Sequence, residues 1–246
     1  MNISHARGMS AFLRGARWLT SITFFLIVQS SVLAAALRSE YRGFSIDKSQ
    51  VQKVPDLDAV EKAVCQQIDM VCSVGLSEDT LTFLQNVPLI LIPPDAIPRS
   101  SPGLYGRNER SVKITSRITS IGKRPVLLHE LLHAYHHQKL PDGFQNPAVI
   151  SFFKKAQSEA LYGARSHMMQ NHSEFFACAA TTYLYGATAQ EPFTREALKK
   201  KQPDLFSFLK KLFGETAGNY EEPKGAMEES LKEQPVGDEK TQSSSP

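Results

Sequence analysis

Along residues 56–70 (DLDAVEKAVCQQIDM) apolar and polar positions alternate with the spacing of a helix that buries one face. Asp56, following Pro55, is placed to cap its start. Val87 to Ile92 is a continuous apolar run halted by Pro93-Pro94, the pattern of a buried strand. Residues 93–110 are rich in Pro, Gly, Ser and Arg and predict loop. From Ser111 to Thr119 the period falls to two, which predicts a half-exposed strand. Pro125 to Leu140 is the clearest helix: proline suits its first turn, and Pro141-Asp142-Gly143 ends it. Residues 147–162 and 173–185 predict two more helices, and 194–213 a helical pair broken at Pro203. Strands in the first half and helices in the second describe an α+β domain over residues 37–217, about 180 residues and enough for a real core.

The two ends differ from this middle. The first 36 residues run from a basic stretch through the apolar Leu19 to Val28 and polar Gln29-Ser30-Ser31 to Val-Leu-Ala-Ala-Ala. That is the layout of a secretory signal peptide, cut after Ala34 or Ala36, and its apolar run is short for a membrane span. The mature protein is then secreted or periplasmic. From residue 218 onward the chain is acidic, nearly free of aromatics and ends in Ser-Ser-Ser-Pro, so 218–246 reads as a disordered acidic tail. Of 246 residues, 41% are hydrophobic and 22% charged, which excludes a wholly disordered chain and a polytopic membrane protein. The net charge of +3 comes from Arg7, Arg14 and Arg17 in the leader. Without them 25 basic residues face 25 acidic ones. No basic excess remains to neutralise phosphates, so nucleic acid is not an expected partner. In an exported protein Cys65 and Cys72 can form a disulfide. Seven residues along one helix span about 10 Å, too far for the bond. A bridge therefore requires the first helix to end before Cys72.

The chemistry lies inside the clearest helix. His129-Glu130-Leu131-Leu132-His133 is an H-E-x-x-H motif. Residues four apart stand one above the other on a helix, so both imidazoles reach one ion, and Glu130 lies beside them. Zinc is the usual occupant and the glutamate the usual base. Chance would produce the motif in roughly one such sequence in a hundred. A catalytic zinc takes a third protein ligand. The extended pattern ending in Gly and a third His is excluded, because His136 and Lys139 stand at those positions. A downstream glutamate remains, or a histidine or aspartate elsewhere. Glu174 sits on a predicted helix whose aromatic and small neighbours suit packing against the first. His136 reads as solvated or supporting, and Cys178 as a small buried thiol.

Tyr162-Gly163 precedes Asn171-x-x-Glu174-Phe175-Phe176-Ala177, and Gln202-Pro203-Asp204-Leu205-Phe206-Ser207-Phe208 follows. With these motifs residues 104–213 resemble the catalytic domain of anthrax lethal factor and its relatives, a gluzincin family of secreted bacterial metallopeptidases. The resemblance implies a zincin-like single domain of α+β class, with a small sheet, an HExxH active-site helix and a mostly helical C-terminal half. It implies one Zn2+ per chain on His129, His133 and Glu174, with Glu130 as general base and Tyr162 stabilising the oxyanion. The expected substrate is protein or peptide, taken by a monomer that has no membrane contact after leader cleavage. The strand Val112 to Thr119 is expected to border the cleft and pair with extended substrate. In one respect the chain departs from the pattern. The connection from Tyr162-Gly163 to Glu174 is longer, around Ser166-His167-Met168-Met169-Gln170, so His167 and His172 stand as alternative donors. The other readings are a zinc hydrolase of cell-wall or other non-protein amides, and a non-catalytic zincin-fold binding protein.

Overall fold

The computed structural model describes residues 38–99 and 101–215. The signal peptide expected at 1–36 and the acidic tail expected at 218–246 lie outside them. The chain divides into two units, Met1–Ser39 and Glu40–Pro246. Arg38 and Ser39 are the described part of the first.

Short apolar runs in the first half form a five-stranded mixed sheet. Its strands are β1 (Arg38–Tyr41), β2 (Phe44–Asp47), β3 (Leu89–Ile92), β4 (Gly103–Gly106) and β5 (Ser111–Thr115), in the order β1-β2-β3-β5-β4. The β2–β3 and β3–β5 pairs are parallel, with Ile46 opposite Leu89 and Leu89 opposite Val112. The β4–β5 pair is antiparallel, with Gly103 opposite Ile114. Among the described residues seven helices accompany the sheet. They are α1 (Leu57–Ser73), α2 (Glu78–Gln85), α3 (Val126–Lys139), α4 (Pro147–Ser158), α5 (His172–Tyr185), α6 (Arg195–Lys201) and α7 (Pro203–Phe213). The α+β class and the helical second half are as the sequence pattern predicts. Among the described residues no helix is long and apolar enough to cross a membrane.

Several local expectations are corrected. The strand that begins at Ser111 stops at Thr115 and passes into a 3-10 turn, Ser116–Ser120. It lies inside the sheet between β3 and β4, so the edge that faces the cleft belongs to β4. That strand lies within the stretch expected to be loop. Its two glycines hide it from a propensity reading, yet β5 supplies a partner, and β preference follows context. Gly103 is needed there: a Cβ would lie 3.0 Å from Val126 Cγ1 and 3.1 Å from Glu130 Cγ. Arg117 fastens the preceding loop by donating to the carbonyls of Pro94, Pro98 and Ser101.

Helix α1 runs unbroken through Cys65 and Cys72, and both thiols are free. Its buried stripe of Val60, Val64, Ile68 and Val71 continues past the point where a bridge needed it to end. Asp56 adopts a left-handed conformation, φ 54°, and makes no side-chain cap. Helix α2, capped by Ser77, and strands β1 and β2 have no counterpart in the sequence reading.

Helix α3 is the centre of the domain. Against it pack α1, β4 and β5 from the N-terminal half and α5 from the C-terminal half. Its own first residue, preceded by Pro125, has no side-chain cap. The cap comes from α1: buried Gln67 accepts from Leu127 N–H at 3.1 Å and donates to Arg124 O at 2.9 Å. Gln67→Leu removes both bonds and leaves a buried N–H without a partner. Urea unfolding is expected to show a loss of about 1–3 kcal/mol. Unchanged stability would contradict this role.

Candidate metal centre

Two helices supply the convergent side chains. His129 and His133 stand one turn apart on α3, with ring centroids 4.8 Å apart. Glu174 comes from the first turn of α5, whose placement is set by Asn171. The Asn171 Oδ1 accepts from Ser173 N–H and Glu174 N–H, each at 2.9 Å. Asn-x-x-Glu is thus a helix-start signal, and an acid in the first turn also suits the helix dipole. Here the Glu174 carboxylate reaches across to α3. Beyond Glu174 the helix is buried continuously from Phe175 to Tyr185.

The resulting triangle is nearly equilateral. His129 Nε2, His133 Nε2 and Glu174 Oε2 are each 3.2 Å from the other two. Ligands bound tetrahedrally at about 2.05 Å lie about 3.3 Å from one another, so the donor set has the dimensions and chemistry of a zinc site. One cation facing all three takes a lone pair from each donor atom, whereas ring protons cannot serve all three edges at once. Burial alone pushes the Glu174 carboxyl up, but hydrogen bonds from His129, His133 and His167 outweigh it and hold it well below the usual carboxylate range.

Glu130 projects to one side of this triangle, toward β4. It is buried, and its Oε2 accepts from Tyr105 N–H at 2.8 Å. Burial pushes its pKa up and nearby Glu174 adds to that, while His129 and the Tyr105 bond oppose it. The carboxylate is therefore a stronger base than an exposed glutamate. A cleft of about 420 Å³ opens over these groups. Leu104 and Arg107 line it on the β4 side, Phe144 and Gln145 at one end, and His167 and His172 on the α5 side. A larger hollow of about 560 Å³, around Lys53, Asp56 and Pro94, holds no such cluster.

The structure brings together four of the five expected site residues, His129, Glu130, His133 and Glu174. It does not bring Tyr162 to them. The Tyr162 ring is buried against Phe175, and its hydroxyl donates to Gln202 Oε1 at 3.1 Å. Gln202 in turn donates to Phe152 O at 3.0 Å, which locks the pair into the packing of α4 and α7. In the cleft stands His167 instead, with Nε2 2.9 Å from Glu174 Oε2. His136, expected to be solvated or supporting, is wholly buried between Phe144 and Phe176, and its pKa falls to about 3 through burial.

Sequence reasoning missed Tyr105, whose backbone N–H matters and whose side chain carries no signal. It also missed Gly103, although a lone glycine one residue before an apolar pair hints at close approach. A second convergent set exists in His129, His167 and Cys178. Burial pushes the Cys178 thiol up, against the thiolate that a metal requires, so the two-histidine, one-glutamate set fits better.

Residues 95–212 match the family model described as anthrax toxin lethal factor, N- and C-terminal domain. No curated protein and no solved structure matches the chain. The matched segment is lethal-factor-like, and it contains the whole cluster. Related proteins of this family are zinc metalloproteases, which agrees with the donor set found here. Glu174→Ala is expected to weaken zinc binding beyond the roughly 10–100-fold cost of losing an outer hydrogen-bond partner. Competition with a chromogenic chelator measures this, and parental affinity in the variant would remove Glu174 from the site.

Proposed function

We propose that the chain is an exported zinc-dependent endopeptidase of the gluzincin kind, acting on protein or peptide. The observation that carries the reading is the 3.2 Å triangle of His129, His133 and Glu174 beside a buried carboxylate. These three residues would hold one zinc per chain. When bound, zinc supplies Lewis-acid polarisation of a carbonyl and acidifies water.

The chain's own residues do the remaining work. Glu130 takes a proton from the attacking water and later delivers it to the departing amine. Tyr105 N–H holds that carboxylate at one oxygen, leaving the other free for the proton. The closeness of β4 to α3, allowed by Gly103, keeps Glu130 from swinging away. The walls formed by Leu104 and Phe144 exclude water from part of the cleft and suit an apolar stretch of substrate.

Glu130→Gln is the direct test. It preserves shape and leaves the three ligands in place, but the amide cannot accept the proton. The variant is expected to bind one zinc and to lose about 10²–10⁴-fold in turnover of a denatured protein substrate. Full turnover would refute the mechanism. A parent enzyme that opens cell-wall peptides and leaves denatured protein intact would shift the substrate to non-protein amides.

A further inference from the structure

We infer that His167 is the side chain that donates a hydrogen bond to the oxyanion during peptide cleavage, in place of Tyr162. This rests on the peptidase reading above.

Position is the first ground. The His167 ring lies beside His129, with centroids 5.7 Å apart, and its Nε2 is 2.9 Å from Glu174 Oε2. Its side chain is 37% exposed, against 16% for His129 and 8% for His133, so it stands at the cleft mouth where substrate enters. Glu130 faces the same cleft from the β4 side. Base and donor thus flank the place where a scissile carbonyl would lie, as attack and charge stabilisation require.

The second ground is how His167 comes to be there. It opens the 3-10 turn His167–Met169, in the connection between Tyr162 and Glu174. Met168 and Met169 anchor that turn in the core. Ser166 N–H donates to Gly163 O at 2.9 Å and Gln170 N–H to His167 O at 3.1 Å, after which Asn171 caps α5. The turn is therefore held at both ends, and its one ring beside the metal ligands is His167. Tyr162, which precedes this turn, has its hydroxyl bonded to Gln202 instead.

The third ground is chemical. Once Glu174 Oε2 is committed to a cation, the His167 N–H that meets it can turn to a new acceptor in the cleft. No proton leaves the ring: the N–H donates while negative charge stands on the former carbonyl oxygen, and releases it when the C–N bond breaks.

Three variants test this: His167→Ala, His167→Gln and Tyr162→Phe. Each is assayed for zinc per chain, for kcat and KM on one peptide, and for affinity toward N-phosphoryl-leucinamide, a tetrahedral anion, by calorimetry. His167→Ala is expected to keep its zinc and its KM within about threefold, and to lose about 100-fold in kcat. Its affinity for the phosphoryl compound should fall at least about tenfold. His167→Gln, which keeps an N–H donor, should recover part of both losses, and Tyr162→Phe should match the parent within about twofold. Loss of zinc from His167→Ala would make the residue a ligand and overturn the inference. So would unchanged kcat and phosphoryl binding, or a kcat loss in Tyr162→Phe instead. A zinc-loaded parent that neither cleaves peptide nor binds the phosphoryl compound would overturn the peptidase reading itself, and the donor role with it.

Discussion

The contact between α3 and α5 is the constraint on which the rest of the structure depends. Two ligands of the candidate site ride on one helix and the third on the other, so the site exists only while the pair keeps its register. A slip of one residue moves a helix about 1.5 Å along its axis, which is enough to break a triangle with 3.2 Å edges. Holding a carboxylate and two imidazoles together in a half-buried cleft is costly without a cation. The packing offsets that cost. Phe175 and Phe176 are fully buried, and each contributes about 1.5–3 kcal/mol. Ala177, Ala179 and Ala180 are fully buried beside them. Asn171 then sets where α5 begins, and with it the height of Glu174 along the axis.

A second contact aims the base. Strand β4 meets α3 at both backbone and side chain. Tyr105 N–H binds Glu130, and the Tyr105 hydroxyl pairs with His137 Nδ1 at 2.9 Å and accepts from Gln138 at 3.0 Å. His137 stacks on Phe144, over which the Arg107 guanidinium lies at 4.8 Å. The turn at Gly143 makes that stack possible: its φ is 53°, and a Cβ would lie 2.6 Å from His137 O. One wall of the cleft is thus a chain of aromatic and cationic groups continuous with the helix that carries the ligands. Glu130 is tied to this wall through the bond it accepts from Tyr105 N–H.

What could be read in the sequence is what lies close together along it. His129, Glu130 and His133 share one helix, so helical geometry alone brings them together. Asn171 and Glu174 share a helix start, and capping chemistry alone predicts that start. The relation of α3 to α5 followed from the resemblance and from apolar patterning. Long-range events were hidden. Gln67 caps α3 from 60 residues away. The β4 strand exists because β5 offers it an edge, and no propensity of Gly103 or Gly106 predicts that. The expected bridge between Cys65 and Cys72 failed because burial of Val71 carries α1 past its anticipated end. Tyr162 was assigned by resemblance, and only the packing of Gln202 reveals that its hydroxyl is already used.

The central claim is the identity of the three ligands, and X-ray absorption at the zinc edge on the zinc-loaded protein tests it most directly. The expected spectrum shows nitrogen and oxygen neighbours at about 2.0–2.1 Å, with two imidazole rings visible in the outer scattering and no sulfur. A sulfur neighbour at about 2.3 Å would place Cys178 at the metal. It would contradict the site built from His129, His133 and Glu174.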